Sequence, residues 1–264
     1  MRIYTCAREL ISELSRDVIE MGHENRPKTY QNKNIEGNPD FITKELIAES
    51  YCLTSLPDPE YLFAYTHTRE WADAEFEERV SGRMLNPGNA WELNKPMWEE
   101  FLVPSFPGNP DPEDLRFDYT YAERMNDTAE YINEEGIDVG ISYLGNIIQL
   151  LKEDPDTRKA VLSIFNSEYD KNNLDGKARI PCSMYYQFLI RDNSYGKQLN
   201  IIYNQRSCDL VGHCGDDIYL AWRLMEYVAE KVGVKPGYLF HQIGSLHVYQ
   251  RDWWKLKTSI DELV

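Results

Sequence analysis

The sequence has little positive charge and no long apolar run. Its 264 residues carry 28 Lys and Arg against 44 Asp and Glu, a formal net charge of −16 at pH 7. Surfaces that bind nucleic acid depend on clustered Lys and Arg, so this composition argues against a nucleic acid partner. No stretch reaches the roughly 18 consecutive apolar residues of a membrane-spanning helix, and the charged first residues lack the apolar core of a signal peptide. We therefore expect a protein that is neither exported nor inserted in a membrane.

Cysteine is also scarce. The five cysteines, at positions 6, 52, 182, 208 and 214, show neither the pairing of a disulfide framework nor the spacing of metal ligands. An odd number of thiols without an export signal predicts a reducing, cytoplasmic location, and we expect no metal site. Internal repeats and low-complexity runs are lacking as well. Residues 1–264 are therefore expected to form a single domain with a sizeable core.

One predicted hairpin brings reactive residue types together. Two runs rich in β-branched and aromatic residues, 185–190 and 199–203, flank a short connection that contains glycine, which predicts an antiparallel hairpin. Cys182 precedes the first run and Arg206 follows the second, so the hairpin places a thiol beside a guanidinium. Because a neighbouring arginine lowers the pKa of a thiol and raises its thiolate fraction, Cys182 is a candidate nucleophile. The alternative is a small buried side chain without chemistry.

Apolar spacing predicts the other elements. Helices are expected over 5–20, 61–80, 141–152 and 218–232, and strands over 48–53, 160–165 and the residues that lead into 244–249. Residues 22–34 lack periodicity and are interpreted as a loop. The stretch 86–118, rich in Pro, Asn and Asp, is interpreted as an irregular insert without regular structure over 104–112. Its Trp91 and Trp98 are candidates for contact with a flat ring, or for the core.

Three motifs follow one another between residues 181 and 249. They are Pro-Cys at 181–182 followed by YQF at 186–188, QRSCD at 205–209, and GSLHVY at 244–249. Together they resemble the nucleophile strand, the phosphate-binding segment and the ribose-binding segment of the thymidylate synthase superfamily. Among its members the chain is most similar to the (deoxy)cytidylate 5-hydroxymethylases. Weaker similarities upstream extend the resemblance over most of the chain.

The resemblance implies both a fold and partners. The expected fold is α/β of the α+β kind, a large mixed β-sheet with flanking helices that packs across a homodimer interface. The expected ligands are a pyrimidine nucleoside monophosphate and 5,10-methylenetetrahydrofolate. If a phage encodes the protein, the cytoplasmic location predicted from the cysteines is the cytoplasm of an infected host.

The resemblance also assigns nucleotide contacts within the motifs. The residues concerned are Gln205, Arg206, Ser207 and Asp209, together with His247 and Tyr249. The last two are two positions apart, so on a strand both face the same side, as a clamp on a sugar hydroxyl requires. A satisfied histidine and a half-buried tyrosine are the alternative. Whether the sugar is ribose or deoxyribose stays open, because no motif encodes that contact.

Three further cations are implied to meet the phosphate. Arg26 resembles the arginine of a mobile N-terminal loop of the family, with a solvated arginine as the alternative. Arg158 and Lys159 resemble a pair that reaches across the dimer interface to the partner's phosphate, so a monomer would not complete a site. Lys159 departs from the family's second arginine and lacks its two-pronged donor geometry, which implies weaker phosphate binding.

Two catalytic positions are implied upstream of the hairpin, each with an alternative. Glu70 resembles the glutamate that orders water and moves protons at the pyrimidine ring, and Glu75 is the second choice. Tyr121 resembles the tyrosine near the nucleophile, although Tyr119 competes for that role. The residue after the nucleophile is Ser183, where the synthases commonly have histidine, so the local hydrogen bonds must differ.

One residue is implied to read the base. Counting without gaps from Gln205, the family's base-reading asparagine corresponds to Asp217, with Asp216 as the alternative if a gap intervenes. Uracil presents N3–H and a carbonyl, which an amide satisfies, whereas cytosine presents an amine that needs an acceptor. A carboxylate at this position favours a cytosine nucleotide.

The resemblance then implies a reaction. Cys182 would add to C6 of the pyrimidine, and C5 would take the one-carbon unit of the folate. The segment 253–264 is short and charged and does not resemble the tail that excludes water in thymidylate synthases, which favours 5-hydroxymethyl CMP or dCMP as product. Folate-dependent C5-methylation of dCMP and a thymidylate synthase acting on dUMP are the alternatives. A hydrolase that uses Cys182 with His247, and a nucleotide-binding protein without catalysis, are rivals from other classes.

Overall fold

The protein is described from a computed structural model. The structure describes residues 1–106, 114–128, 131–133, 136–138, 141–171, 178–194 and 196–256. Its strands are β1 (Arg2–Tyr4), β2 (His23–Asn25), β3 (Thr29–Tyr30), β4 (Lys33–Asn34), β5 (Thr43–Leu53), β6 (Val103–Pro104), β7 (Leu115–Arg116), β8 (Tyr131–Asn133), β9 (Gly136–Asp138), β10 (Val161–Ser163), β11 (Ser183–Asn193), β12 (Gly196–Asp209) and β13 (Lys235–Tyr249). Its α-helices are α1 (Ala7–Met21), α2 (Arg69–Arg79), α3 (Lys95–Trp98), α4 (Tyr121–Asn126), α5 (Tyr143–Glu153), α6 (Ser167–Asp170) and α7 (Cys214–Val232).

One large sheet organises these elements. Its order is β1-β5-β13-β12-β11-β10, with β2 also paired to β5. The pairs β1–β5 and β12–β13 are parallel and the others are antiparallel, so the sheet is mixed. Helix α7 packs on β12 and β13, and α1 packs on β5. The predicted α/β class, a large mixed sheet with flanking helices, is confirmed.

The core lies between the sheet and its helices. Along β12, buried residues alternate with half-buried or exposed ones, which is the pattern of a strand with one fully covered face. Phe188, Ile201 and Leu239 are fully buried on three successive strands. Leu220 and Leu224 of α7 belong to the same apolar cluster. Burial of this apolar surface is the main force that holds together the central strands, at whose ends the functional residues lie.

The predicted hairpin is confirmed and longer than expected. Strands β11 and β12 pair from Ser183–Gln205 to Asn193–Gly196. Gly196 has φ +98°, a conformation that favours glycine and closes the tight connection. Helix α1, helix α5 and strand β10 also lie where the apolar spacing predicts them.

Four boundaries differ from prediction. The helix expected over 61–80 is only Arg69–Arg79, because Thr68 caps it by accepting the Trp71 N–H, and Pro59–Phe63 forms a separate 3-10 turn. The strand expected over 48–53 is β5, which begins five residues earlier. The loop expected over 22–34 contains β2, β3 and β4. The helix expected over 218–232 is α7, which begins at Cys214 and therefore carries the candidate base-reading residues in its first turn.

The expected irregular insert is short turns and two-residue strands. The 3-10 turns Ala90–Asn94 and Glu99–Phe101 flank α3, and β6 pairs with β7. Residues 104–112 were expected to lack regular structure, but Pro104 is part of strand β6. Residues 107–113 lie outside the part of the chain that the structure describes. Over the described residues, no helix is both long and apolar enough to span a membrane.

Candidate active site

Two cavities meet at Cys182, just before β11. The first, which we call the aromatic cavity, has a volume of about 110 Å³, and the second, the polar cavity, has about 450 Å³. The aromatic cavity is lined by Trp71, Trp91, Trp98, Phe117 and Tyr119, among others. Cys182, Ser207 and His213 line both cavities. A thiol therefore lies at the junction of an aromatic compartment and a polar one.

Arg206 is held beside Cys182 by the backbone. The Arg206 N–H donates to the Cys182 carbonyl at 2.9 Å, and its guanidinium donates to the Pro181 and Ile180 carbonyls at 2.9 Å each. One guanidinium nitrogen lies 3.9 Å from the Cys182 sulfur. Arg206 is otherwise exposed toward the polar cavity. The predicted pairing of thiol and arginine is thus present in the structure.

The resting thiol differs from the sequence-based expectation. Burial raises the pKa of Cys182 above its ordinary value, although Arg206 acts in the opposite direction. The expectation that arginine leaves a net lowered pKa is wrong, because removal of the sulfur from water outweighs one partly solvated cation. Cys182 is therefore protonated in the free protein at neutral pH.

Ser183 has a hydrogen-bond network of its own behind the nucleophile. Its hydroxyl lies 2.6 Å from the Tyr203 hydroxyl and 3.1 Å from that of Tyr121. Burial raises the pKa of Tyr121 well above its ordinary value, so this phenol stays neutral. Tyr119 lines the same cavity, with its ring centre 6.0 Å from that of Tyr121. Both candidate tyrosines are thus near Cys182, and only Tyr121 contacts the Ser183 hydroxyl.

Asp217 is the end of a buried hydrogen-bond chain. Gln205 Nε2 donates to its carboxylate at 2.8 Å, and Gln205 Oε1 lies 2.7 Å from His241 Nε2. His241 Nδ1 lies 2.7 Å from the Tyr51 hydroxyl. Gln205, His241 and Tyr51 are at most 1% exposed.

The partners in this chain fix the direction of each hydrogen bond. A carboxylate only accepts, so Gln205 presents its NH₂ to Asp217 and its carbonyl to His241. His241 then carries its proton on Nε2 and accepts from Tyr51 at Nδ1. Burial lowers the pKa of His241 to about 3, which keeps the ring neutral and the assignment consistent. Asp217 is left with acceptor capacity on the side that faces the aromatic cavity.

The ionisation of Asp217 is expected to destabilise the free protein. Burial raises the pKa of Asp217 to about 6, and the Gln205 hydrogen bond opposes that rise only in part. A raised native-state pKa contributes stability below about pH 4 that is lost as pH rises through 6, a change of about 3 kcal/mol at most. The variant Asp217→Asn is therefore expected to exceed the wild type in unfolding free energy at pH 7 to 8, with the difference vanishing near pH 4. Urea unfolding at several pH values measures this, and a difference independent of pH would contradict it.

Asp216, the alternative base reader, has a different set of partners. Its carboxylate accepts from the Thr66 hydroxyl and from His67 Nδ1. The donor atoms of His67, His213 and Asp216 lie within 4.8 Å of one another, a spacing that a metal ion can use. Thr66 and His67 meet the Oδ2 oxygen of Asp216, and its Oδ1 oxygen is buried without a hydrogen-bond partner among the described residues. Asp217 is the carboxylate tied to the Gln205 motif.

The two candidate glutamates lie in different environments. Glu70 is in the first turn of α2, exposed to solvent, and lines neither cavity. Glu75, one and a half turns later, lines the aromatic cavity and pairs with Arg79 at 2.9 Å. Burial raises the pKa of Glu75, and Arg79 opposes the rise. The structure does not bring Glu70 to Cys182 and does bring Glu75.

The polar cavity contains the motif residues of β12 and β13. His247 and Tyr249 both line it, with ring centres 5.1 Å apart, as their spacing on a strand predicts. Asp209 lies opposite His247 in the sheet and accepts the Val211 N–H at 3.2 Å. A Cβ at Gly212 would lie 2.5 Å from the Asp209 carboxylate, so a larger residue there would displace that side chain.

The remaining predicted cations lie outside both cavities. Arg26 is exposed and pairs with Glu24 at 2.6 Å. Arg158 and Lys159 are exposed, and the Arg158 carbonyl accepts from Gln187 Nε2 at 3.0 Å on the sheet. Within one chain, Arg206 is therefore the predicted phosphate ligand that the structure brings to Cys182.

Sequence reasoning missed several cavity residues. Arg179 lines the aromatic cavity with its guanidinium 4.6 Å from the centre of Phe101 and 5.3 Å from that of Tyr119. Arg79 lies over the Tyr121 ring at 4.0 Å. The i, i+4 spacing of Glu75 and Arg79 on a predicted helix was a usable signal. Arg179 carried none, because its aromatic neighbours are distant in sequence.

The fold and site define a protein with a cysteine-centred site at one end of a mixed α/β sheet. A sequence profile of thymidylate synthase matches residues 86–262. The chain belongs to the thymidylate synthase family, as the motifs predict.

Curated proteins with similar sequences carry related names. A putative thymidylate synthase of Methanosarcina mazei is 32% identical over 137 residues, which are 52% of this chain and 55% of that protein. The thymidylate synthase of Mycoplasma genitalium is 29% identical over 121 residues, 46% of this chain and 39% of that protein. A bifunctional dihydrofolate reductase-thymidylate synthase of Plasmodium chabaudi is 32% identical over 137 residues, 50% of this chain and 22% of that protein. The chain thus spans about half the length of the first two relatives, or less.

Proposed function

We propose that the protein transfers a one-carbon unit from 5,10-methylenetetrahydrofolate to C5 of a cytidine monophosphate nucleotide and releases the 5-hydroxymethyl product. The observation that carries this proposal is the carboxylate of Asp217, held as an acceptor by Gln205 near Cys182. Cytosine has an exocyclic amine that donates to such an oxygen, whereas uracil has a carbonyl that would face it unfavourably. The base assignment therefore follows from hydrogen-bond direction.

The chemistry assigned to Cys182 is addition to the ring. As the sulfur bonds to C6, the thiol proton passes through water or Asp217 to N3, and the resulting enamine is nucleophilic at C5. After C5 has taken the one-carbon unit and lost its proton, water adds to the exocyclic methylene as tetrahydrofolate leaves, and the Cys182 sulfur then leaves C6. Asp217, with a pKa of about 6, accepts from the cytosine amine and can share the proton that neutralises N3. Arg206 then serves the phosphate while it also opposes the cost of burying the thiolate.

The aromatic cavity suits the folate in its chemistry. Its tryptophans and tyrosines offer flat faces on which a pterin ring can stack, and Cys182 is among its lining residues. When bound there, methylenetetrahydrofolate supplies the one-carbon unit that C5 takes. At about 110 Å³ the cavity accommodates only part of that molecule, so its residues must hold the ring while the remainder lies outside.

We assign the proton at C5 to Glu75. Glu75 and Cys182 both line the aromatic cavity. The raised pKa of Glu75 suits a group that takes and returns a proton through water. The Arg79 guanidinium holds the carboxylate at 2.9 Å and keeps it oriented.

The glutamate assignment predicts a contrast along one helix. Glu75→Gln is expected to lower kcat by about 10²- to 10⁴-fold, because the amide cannot take the C5 proton. Glu70→Gln is expected to change kcat less than about twofold. Glu77→Gln, whose side chain is 72% exposed on the same helix, is the matched control. Steady-state kinetics of the three variants measures this, and a large loss in Glu70→Gln alone would restore the original sequence assignment.

A homodimer is part of the proposal. The sheet face opposite the helices carries half-buried apolar side chains, among them Leu189, Ile202 and Phe240. Arg158 lies at the edge of that face, through its contact with Gln187. A second copy packed on this face would cover the apolar side chains and bring Arg158 and Lys159 to the partner's polar cavity.

A second candidate is thymidylate synthesis from dUMP, which the names of the similar proteins favour. The test for both is tritium release from C5-labelled CMP, dCMP and dUMP with methylenetetrahydrofolate, followed by mass analysis of the product. Release from a cytidylate with a gain of CH₂O supports the proposal, and a gain of CH₂ would mean methylation. Release from dUMP alone would refute the assignment of Asp217.

A further inference from the structure

Three side chains form a row across the sheet in the polar cavity. Asp209 of β12 pairs with His247 of β13, and His247 pairs with Glu45 of β5. Directly opposed residues place their side chains on the same face, and all three line the polar cavity. Glu45 is therefore next to the proposed sugar clamp, on a strand that the motifs do not include.

The Glu45 carboxylate has unused acceptor capacity. It accepts from the Ser245 hydroxyl, and this is its one hydrogen-bond partner in the part of the chain that the structure describes. Ser245 in turn lies 3.4 Å from His247 Nδ1, which ties Glu45 to the clamp. Glu45 is half-buried, and a carboxylate oxygen has lone pairs for more than one donor.

Glu45 lies away from the cation proposed to bind phosphate. Arg206 is three residues before Asp209 on β12, a spacing of about 10 Å along a strand, and Glu45 is two strands further across the sheet. A carboxylate close to a bound phosphate would repel the phosphate. At its distance from Arg206, Glu45 would instead lie near uncharged groups of the nucleotide. In a nucleotide, the neutral donors at that end are the sugar hydroxyls.

The number of sugar hydroxyls distinguishes the two nucleotide classes. A deoxynucleoside 5′-monophosphate has one free sugar hydroxyl, the 3′-OH, and His247 with Tyr249 can supply both its donor and its acceptor. A ribonucleotide has a neighbouring 2′-OH, which needs a further acceptor. Carboxylates are a common protein partner for ribose hydroxyls for this reason.

We propose that Glu45 accepts a hydrogen bond from the ribose 2′-OH and that the protein acts on CMP in preference to dCMP. The identity of the base rests on the proposed function, whereas the choice of sugar rests on Glu45 alone. A hydrogen bond to a charged acceptor corresponds to about a 10- to 100-fold preference for the ribonucleotide.

The test is calorimetric binding of CMP, dCMP, UMP and dUMP to the full chain without folate. The wild type is expected to bind CMP about 10- to 100-fold more tightly than dCMP. Glu45→Ala is expected to bring CMP affinity down to that of dCMP and to leave dCMP within about twofold. Glu45→Gln, which keeps a carbonyl acceptor, is expected to fall between. Glu36→Gln, an exposed acid outside both cavities, is the control.

Two results would overturn the proposal. One is a wild type that binds dCMP as tightly as CMP, and the other is an equal loss for both sugars in Glu45→Gln, which would indicate a merely structural role. Binding of uridylates in place of cytidylates would refute the proposed base but not this inference, because the ratio of UMP to dUMP then reports on Glu45. Thermal unfolding of each variant identifies a loss of affinity that comes from misfolding. If Glu45→Ala misfolds, the affinities of Glu45→Gln, whose side chain is nearest in shape to glutamate, decide the test.

Discussion

Replacement of Cys182 by serine is expected to abolish turnover, with a loss of about 10⁴-fold or more, while nucleotide affinity stays within about threefold. A hydroxyl is a far weaker nucleophile than a thiol, and no base within contact of Cys182 is available to activate it among the described residues. Affinity is retained because Arg206 and the polar cavity do not depend on the sulfur. Tritium release from the C5-labelled nucleotide measures the loss, and calorimetry measures affinity.

Cys6→Ser is the matched control, because Cys6 is a free, half-buried thiol that lines neither cavity. It is expected to leave turnover unchanged. If Cys182→Ser retained more than about a hundredth of the wild-type rate, the covalent step at C6 would be refuted.

Asp217→Asn is expected to exchange the preferred base from cytosine to uracil. Gln205 presents its NH₂ to residue 217 and its carbonyl to His241 Nε2, and we expect the variant to keep that orientation. The new amide would therefore turn its oxygen to Gln205 and its NH₂ to the base, where it can donate to the O4 of uracil and opposes the amine of cytosine. The ratio of kcat/KM for cytidylate over uridylate is expected to fall by about 10³-fold or more, since a buried unpaired polar group is costly.

Competition between labelled CMP and UMP in one reaction measures that ratio directly. Asp216→Asn is the informative neighbour, because its carboxylate is bound to Thr66 and His67 and not to Gln205. It is expected to lower both rates without exchanging the preference. An exchange in Asp216→Asn, with none in Asp217→Asn, would mean that the sequence alignment is shifted by one residue.

Local signals in the sequence were sufficient for the hairpin and for the residues attached to it. Alternating apolar residues define β11 and β12, and Cys182 and Arg206 are near in space because they flank a hairpin, which requires no tertiary knowledge. His247 and Tyr249 share a face for the equally local reason that strands have a period of two. These assignments depend on backbone geometry alone.

The acid on α2 shows where local signals fail. Acidic residues occur along the whole helix, and the one near Cys182 is defined by how α2 packs against α4 and α7. The helix was also expected to begin eight residues too early, which removed the reference needed to choose between Glu70 and Glu75. Packing of distant elements, and not propensity, decides such a position.

The net shift of the Cys182 pKa was equally inaccessible. Sequence shows that an arginine is near the thiol, but it does not show how much water the surrounding elements remove. Burial at the junction of two cavities proved larger than the effect of one arginine. When burial and a nearby charge shift a pKa in opposite directions by similar amounts, the direction of the net shift can be determined only from the coordinates.

The chain from Tyr51 through His241 and Gln205 to Asp217 has a consequence for how this family can change substrates. The Asp217 carboxylate, which only accepts, sets the polarity of this chain, and at the far end the Tyr51 hydroxyl donates to the unprotonated Nδ1 of His241. Loss of that phenol would remove the donor that holds His241 in this tautomer. In a chain without the carboxylate at position 217, the glutamine amide could then reverse and turn its oxygen to that position. Evolution could thus alter nucleobase choice from within the hydrophobic core, by a substitution three hydrogen bonds away from the residue that meets the base.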